Sequence, residues 1–186
     1  MIIGITGRSG AGKSYLSEAL AEKLDLVHID IDKISHEVLS FEESKAFLIK
    51  EFGPEIFDNG ILNRKLLGKI VFANQEKLDK LNKFCQVEME LKIDQLIKNS
   101  QKSIILDYAL LCGLKQFELC DIKILLKADL DIRYSRVKSR ENITKEYFVS
   151  RDNSLSEFDE SIFDFVFTNI STDETNNLIE FIKTKI

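Results

Sequence analysis

The stretch Gly7-Arg8-Ser9-Gly10-Ala11-Gly12-Lys13-Ser14 follows the apolar run Met1-Ile2-Ile3-Gly4-Ile5-Thr6 and leads into Tyr15-Leu16-Ser17-Glu18-Ala19-Leu20-Ala21-Glu22-Lys23-Leu24. The three pieces read as a strand, a glycine-rich turn of the form G-x-x-x-x-G-K-S, and a helix with apolar residues at 16, 19, 20 and 24. A triphosphate is a dense negative charge. The N–H groups of such a turn, together with those of a helix N-terminus, form a concave anion site. Gly7, Gly10 and Gly12 keep side chains out of the turn and allow positive φ. Lys13 supplies a mobile charge for the β- and γ-phosphates, and Ser14 a hydroxyl for Mg²⁺. Gly4 lies in the strand, outside the motif, where it permits close packing.

Length and composition set the frame around this motif. The chain has 186 residues, 44% of them hydrophobic, enough for one α/β domain with small insertions. No apolar run reaches membrane length. The N-terminal strand is too short for a signal peptide and leads straight into the loop. Cys85, Cys112 and Cys120 are odd in number and lack metal-ligand spacing, so they read as free thiols of a reducing cytoplasm. The net charge of −5 argues against nonspecific nucleic-acid binding, so an anionic substrate needs a local basic cluster. A single proline, Pro54, and the absence of low-complexity sequence argue against long linkers.

Further strands are predicted at 26–29, 103–107, 122–126 and 163–167, alternating with helices at 33–39, 130–140 and 173–185. Residues 41–100 read as helices at 43–51, 63–72 and 75–98 with a turn at Asp58-Asn59-Gly60 and no strand, an inserted helical lobe. Residues 141–160 are polar and charge-rich and read as a mobile segment. Alternating strands and helices imply a parallel sheet covered on both faces.

Acids at strand ends are the next candidates, because ligands collect at the carboxyl edge of a parallel sheet. Asp32 follows the second strand. It can cap the helix that starts there, accept a proton from an attacking hydroxyl, or do both. Asp30 reads as structural. Asp107 ends the third strand, where an acid commonly contacts Mg²⁺ directly or through water. Arg136 and Arg140 are four apart on one predicted helix face, and Arg133 extends them into a basic stripe. Beside a mobile segment such a stripe suits a lid that closes on phosphate; Lys138 and Arg151 are further members. Phe163, Phe165 and Phe167 read as alternating core. His28 and His36 carry no partner pattern and read as structural.

Longer blocks then point to a family. Residues 29–39, I-D-I-D-K-I-S-H-E-V-L, resemble the dephospho-CoA kinase pattern I-D-A-D-K-I-A-H-E-V-L. Phe52-Gly53 through Asn63-Arg64-Lys65-Leu66-Leu67-Gly68-Lys69-Ile70-Val71-Phe72 resembles that family's F-G…D-R-K-x-L-G-x-I-V-F. Leu106-Asp107-Tyr108-Ala109-Leu110-Leu111 resembles its L-D-I-P-L-L, residues 134–141 its E-R-x-x-x-R-D, and Phe167-Thr168-Asn169 its I-D-N. The resemblance covers nearly the whole chain.

It implies a three-layer P-loop kinase fold: one domain over 1–186 with a five-stranded parallel sheet, a helical CoA-side lobe at about 41–100 and a lid at about 138–158. It implies ATP·Mg²⁺ phosphorylation of the ribose 3′-hydroxyl of dephospho-CoA, the last step of CoA synthesis, in the cytoplasm. The chain would be a monomer or weak homo-oligomer that meets small molecules, not nucleic acid or membrane. By position, Gly10, Ala11, Gly12, Lys13, Ser14 and Tyr15 hold ATP, with Arg136 and Arg140 on its phosphates and Asn169 at its adenine. Asp32, Lys13 and Arg140 carry the chemistry. Asp32, Arg64 and Asp107 face the acceptor, and Ser14, with Asp107 through water, serves the metal. Gln86-Val87 stand where the family has His-Pro, and Ala109 stands for its proline. Cys112-Gly113 stand for the phenylalanine-glutamate after the third strand, and the lid end, where the family closes on a glutamine, reads Arg151-Asp152-Asn153-Ser154-Leu155. The first two departures lie on the acceptor side. A related kinase with another nucleoside or nucleotide acceptor, and a noncatalytic nucleotide-binding homologue, are the alternatives.

Overall fold

In the computed structural model the described residues are 1–140, 143–153 and 157–186, apart from the side chains of Phe72 and Arg151. They form two compact units, Met1–Asp30 with Ile97–Ile186, and Ile31–Leu96.

The first unit begins with β1 (Ile2–Thr6), α1 (Lys13–Leu24) and β2 (Val27–Asp30). The second holds α2 (Ile31–Glu37), α3 (Glu42–Phe52), β3 (Phe57–Asp58), β4 (Ile61–Leu62), α4 (Arg64–Phe72) and most of α5 (Gln75–Asn99). The first unit resumes with β5 (Ile104–Asp107), β6 (Ile122–Lys127), α6 (Leu130–Lys138), α7 (Lys145–Asn153), β7 (Phe165–Thr168) and α8 (Thr172–Lys183).

In the first unit, five parallel strands lie in the order β2-β5-β1-β6-β7, the parallel sheet that the strand–helix alternation predicts. The central strand β1 is β-branched and buried, as a strand covered on both faces must be. On one face Ile3, Ile5, Ile105, Ile124 and Leu126 form a core with Leu16 and Leu20 of α1 and Leu178, Ile179 and Ile182 of α8. Each such side chain contributes roughly 1.5–3 kcal/mol over leaving it in water. On the other face a methyl group at Gly4 would lie 2.7 Å from Cys120 Sγ and 3.0 Å from a Leu111 methyl, the close packing expected of this glycine. β5 and β6 flank β1 on opposite sides, so the chain switches direction across β1. In open parallel sheets the crevice at such a switch collects ligands, and the glycine-rich loop starts there.

In the second unit, Leu48, Phe52, Ile56, Leu67, Val71 and Leu81 form a separate core. Phe47 stacks on Phe84 at 3.9 Å between ring centroids, and the Asn63 side chain caps α4 by accepting from the Leu66 N–H at 3.0 Å.

Local differences from the sequence reading have identifiable causes. β3 and β4 pair antiparallel across Asp58-Asn59-Gly60, where a turn but no strand is expected. Strands of two residues are too short to show alternation, yet Asn59 and Gly60, at φ 51° and 81°, have the left-handed backbone of a tight hairpin. α2 starts at Ile31, so Asp32 lies in its first turn and is not its cap. The last strand is Phe165–Thr168 because 160–162 form a short 3-10 turn and the Asp164 carboxylate accepts from the Lys123 N–H at 2.7 Å ahead of the ladder. The region expected to be mobile contains α7, anchored by Phe148, which is buried beside Tyr134 and beneath Arg133. Residues 141–142 and 154–156 of that region, and of the lid expected at 138–158, lie outside the described residues.

Candidate active site

The loop after β1 has the backbone its glycines predict: φ is 81° at Gly10 and 105° at Gly12. A side chain at Gly10 would collide with α6, since its Cβ would lie 2.5 Å from the Arg133 carbonyl oxygen. Gly12 is the N-cap of α1 and brings no capping side chain, and the first turn of α1 holds no acid. The N–H groups of that turn therefore keep their partial positive charge for a ligand. Lys13 is 8% exposed, Ala11 is buried, and Ser14 and Tyr15 are exposed beside them.

The arginines separate into different roles. Arg136 donates from Nη1 to the Gly10 carbonyl at 3.0 Å, so α6 lies against the loop. α6 ends at Lys138, so Arg140 does not continue its face; it sits in the following turn, its N–H donating to the Val137 carbonyl at 3.0 Å. Arg133 is not part of an open basic stripe. It is 6% exposed and donates from Nη1 and Nη2 to the two carboxylate oxygens of Asp152, at 2.6 and 2.8 Å. A buried guanidinium needs such a partner. Arg8 reaches the same residue: Nη1 lies 3.3 Å from Asp152 Oδ2 and donates to the Asp152 carbonyl, while Nη2 donates to Glu157 at 3.2 Å. The Arg133 guanidinium, helped by Arg8, holds the Asp152 carboxyl below the usual carboxylate range. Lys138 lies over the Tyr134 ring at 5.8 Å. The Arg151 side chain lies outside the described residues.

At the carboxyl edge of the sheet, Asp107 ends β5 in register with Asp30 of β2 and Ile5 of β1. It is 3% exposed, and among the described residues its Oδ2 has no hydrogen-bond partner. His28 Nε2 lies 3.4 Å from that oxygen, so His28, read from sequence as lacking a partner, faces Asp107. The Thr6 hydroxyl hydrogen-bonds the Tyr108 and Ala109 carbonyls at 2.9 and 3.1 Å, tying the end of β1 to the turn after β5. Asn169 adopts a left-handed φ of 54°, and its amide donates to Asp129 Oδ2 at 3.1 Å.

The second unit contains Asp32 and Arg64. Arg64 Nη2 donates to the His36 carbonyl at 3.0 Å and to Ser40 Oγ at 2.9 Å, fixing the guanidinium beside the end of α2. In α5, the Gln86 amide donates to Glu90 of its own helix at 3.0 Å, and Val87 is exposed. Burial pushes the Cys85 thiol up to about 11 and the Cys120 thiol up to about 12, so both stay protonated and unreactive at neutral pH. Among the described residues no group of three or more His, Cys, Asp or Glu side chains is arranged to hold a metal, and no helix is long and apolar enough to cross a membrane.

Sequence reasoning missed Arg8, Asp152 and His28. Arg8 occupies a variable position of the loop motif, and a charged residue there is the one available signal. The other two depend on pairings between distant segments.

Comparison with known proteins places this arrangement. The model of the CoaE, dephospho-CoA kinase, family matches residues 1–171. A dephospho-CoA kinase of Fusobacterium nucleatum is 38% identical over 154 residues, covering 78% of this chain and 76% of that protein. Among solved structures, TT1252 from Thermus thermophilus superposes with a TM-score of 0.77 at 25% identity, covering 100% of this chain and 97% of that one. Dephospho-CoA kinase from Campylobacter jejuni shares the fold, with a TM-score of 0.68 at 21% identity and coverage of 100% and 98%. With a five-stranded parallel sheet, the phosphate loop and these relatives, this α/β chain has the P-loop kinase fold and belongs to the dephospho-CoA kinase family.

Proposed function

We infer that this chain transfers the γ-phosphoryl group of ATP to the 3′-hydroxyl of the ribose of dephospho-CoA, giving coenzyme A and ADP in the last step of CoA synthesis. The observation that carries the reading is the loop: left-handed glycines ending on the uncapped N-terminus of α1, in a chain that matches the family over residues 1–171.

Gly10, Ala11, Gly12, Lys13, Ser14 and Tyr15 cradle the triphosphate, with Lys13 on the β- and γ-phosphates. Arg136 of α6, already on the loop, and Arg140 meet the ATP phosphates from the lid side. Asn169 meets the adenine. Arg64 holds the acceptor, which the helical lobe at 41–100 recognises. Asp32 takes the proton from the ribose 3′-oxygen as that oxygen bonds to the γ-phosphorus and the bond to the β–γ bridging oxygen breaks, releasing ADP. The Ser14 hydroxyl, with the buried Asp107 carboxylate through water, suits a hard, oxygen-seeking Mg²⁺; among the described residues Asp107 Oδ2 has no hydrogen-bond partner, and His28 Nε2 faces it at 3.4 Å. Bound there, Mg²⁺ neutralises charge on the phosphates. The same reading puts the enzyme in the cytoplasm as a monomer or weak homo-oligomer.

A coupled assay of ADP release, with and without dephospho-CoA, tests it: release must depend on the acceptor. A second reading, a kinase for another nucleoside or nucleotide, draws on Gln86 and Val87, where a side chain engaged on its own helix and an exposed valine replace the family's His-Pro. An acceptor panel separates the two, since a better acceptor than dephospho-CoA selects the second.

A further inference from the structure

We propose that Asp152 is a positioning residue for the phosphate loop: with one carboxylate it binds Arg8 of the loop and Arg133 of α6, holding the loop against the helix that carries Arg136. The proposal rests on the reading of the loop as an ATP site.

The contacts run through one buried cluster. Asp152, in α7, accepts both guanidinium donors of Arg133 at 2.6 and 2.8 Å, while Arg8 approaches from the other side at 3.3 Å and also binds the Asp152 carbonyl. Arg8, Arg133 and Asp152 are 14%, 7% and 9% exposed at their side chains. Water does little to screen such charges, and removing one partner leaves another desolvated and uncompensated. Arg8 directly follows Gly7, and Gly10 packs on the Arg133 backbone and accepts from Arg136. Loop and helix α6 therefore meet at Gly10, and the Asp152 carboxylate ties them again at Arg8. The N–H groups of this loop are the phosphate ligands, so a loop held in its binding shape loses less entropy when ATP binds. Asp152 touches no reacting atom on this account; it acts through Arg8.

ATP affinity measured calorimetrically without acceptor, alongside KM and kcat, tests the idea in the full chain. Asp152→Asn and Arg8→Gln are each expected to weaken ATP binding roughly tenfold, with KM for ATP rising more than kcat falls. Arg8→Gln leaves the Arg133–Asp152 pair in place, so it reads the tie even if Asp152→Asn fails to fold. The double variant is expected to bind ATP no more weakly than the poorer single one, because both break the same tie. Asp152→Glu is expected to recover part of the loss. Native ATP affinity in Arg8→Gln overturns the proposal, as do losses that simply add. Tighter ATP binding in Asp152→Asn also overturns it, by making Arg8 a phosphate ligand that Asp152 restrains. The affinity measurement omits the acceptor, so it stands or falls separately from the identity of the acceptor.

Discussion

Helices α1 and α8 pack against each other on one face of the sheet, both start at its carboxyl edge, and their first turns are built in opposite ways. At α8, Ser171 accepts from the Glu174 N–H at 3.2 Å, the Glu174 carboxylate accepts from the Ser171 N–H at 2.8 Å, and Asp173 adds a second acid to the first turn. At α1 the cap is Gly12, with no side chain and no acid in the first turn. A helix end that only has to be stable receives acceptors from the chain; the one proposed to hold a phosphate is left without them. The cost is local, because an uncapped end forgoes about 1 kcal/mol.

α2 is the third case and gives the largest expected effect. Asp32 lies in its first turn, where an acid could serve the helix end alone, as Asp173 does in α8. Served that way, Asp32→Asn would cost about 0.3–1 kcal/mol of stability and leave turnover intact. As the base for the acceptor hydroxyl, its loss lowers kcat by roughly two orders of magnitude or more while ATP affinity stays native. Steady-state kinetics with dephospho-CoA, read beside a melting curve, decide between them, and near-native turnover removes Asp32 from the mechanism.

At the open end of α1, Lys13→Ala is expected to lower kcat/KM by about two to three orders of magnitude, the usual loss when a fixed positive donor to developing charge is removed. Lys13 is largely buried, so a melting curve must accompany the kinetics. A variant that folds and still turns over ATP at the native rate would break the contrast between the two helix ends.

The frame of this contrast was legible in the chain. The loop motif, the strands beside it and the long helices at 63–72 and 75–98 come from periods and glycines that act within a few residues. Asp107 was legible because it closes the apolar run Ile104-Ile105-Leu106. What escaped depends on pairing between distant segments. His28 meets Asp107 because β2 pairs with β5 in the register His28–Ile105 and Asp30–Asp107. Arg133 is a buried cation rather than an open one because α7 packs on it, and among the described residues α7 buries only Phe148 and Asp152, too little to show as a period. The hairpin at Phe57–Leu62 was hidden by its brevity.

At the closed end of α8 the expected effect is smaller and leaves chemistry alone. Ser171→Ala removes the acceptor for the Glu174 N–H and should cost about 1 kcal/mol, a fall in Tm of about 2–4 °C for a chain of this size. KM for ATP and kcat should be native, since neither Ser171 nor Glu174 belongs to the proposed site. A change in KM for ATP would mean that the two helix ends are coupled.

Glu174 gives the smallest effect and the sharpest test of what the cap is made of. The Ser171 N–H, and then its hydroxyl, hold the Glu174 carboxyl below the usual carboxylate range. A carboxyl whose folded pKa is depressed adds stability that is present above its unfolded pKa and is lost as pH falls through the folded one. Glu174→Gln keeps an acceptor for the Ser171 N–H and removes only the charge. The native chain should therefore out-melt this variant slightly at neutral pH, and the gap should close as the solution is acidified below the ordinary range of a glutamate. The carboxylate is solvent-exposed, so added salt should narrow the gap at neutral pH as well. A gap that persisted in strong acid would trace the box to hydrogen-bond geometry alone, and charge would then have no part in how this protein closes one helix end and leaves the other open.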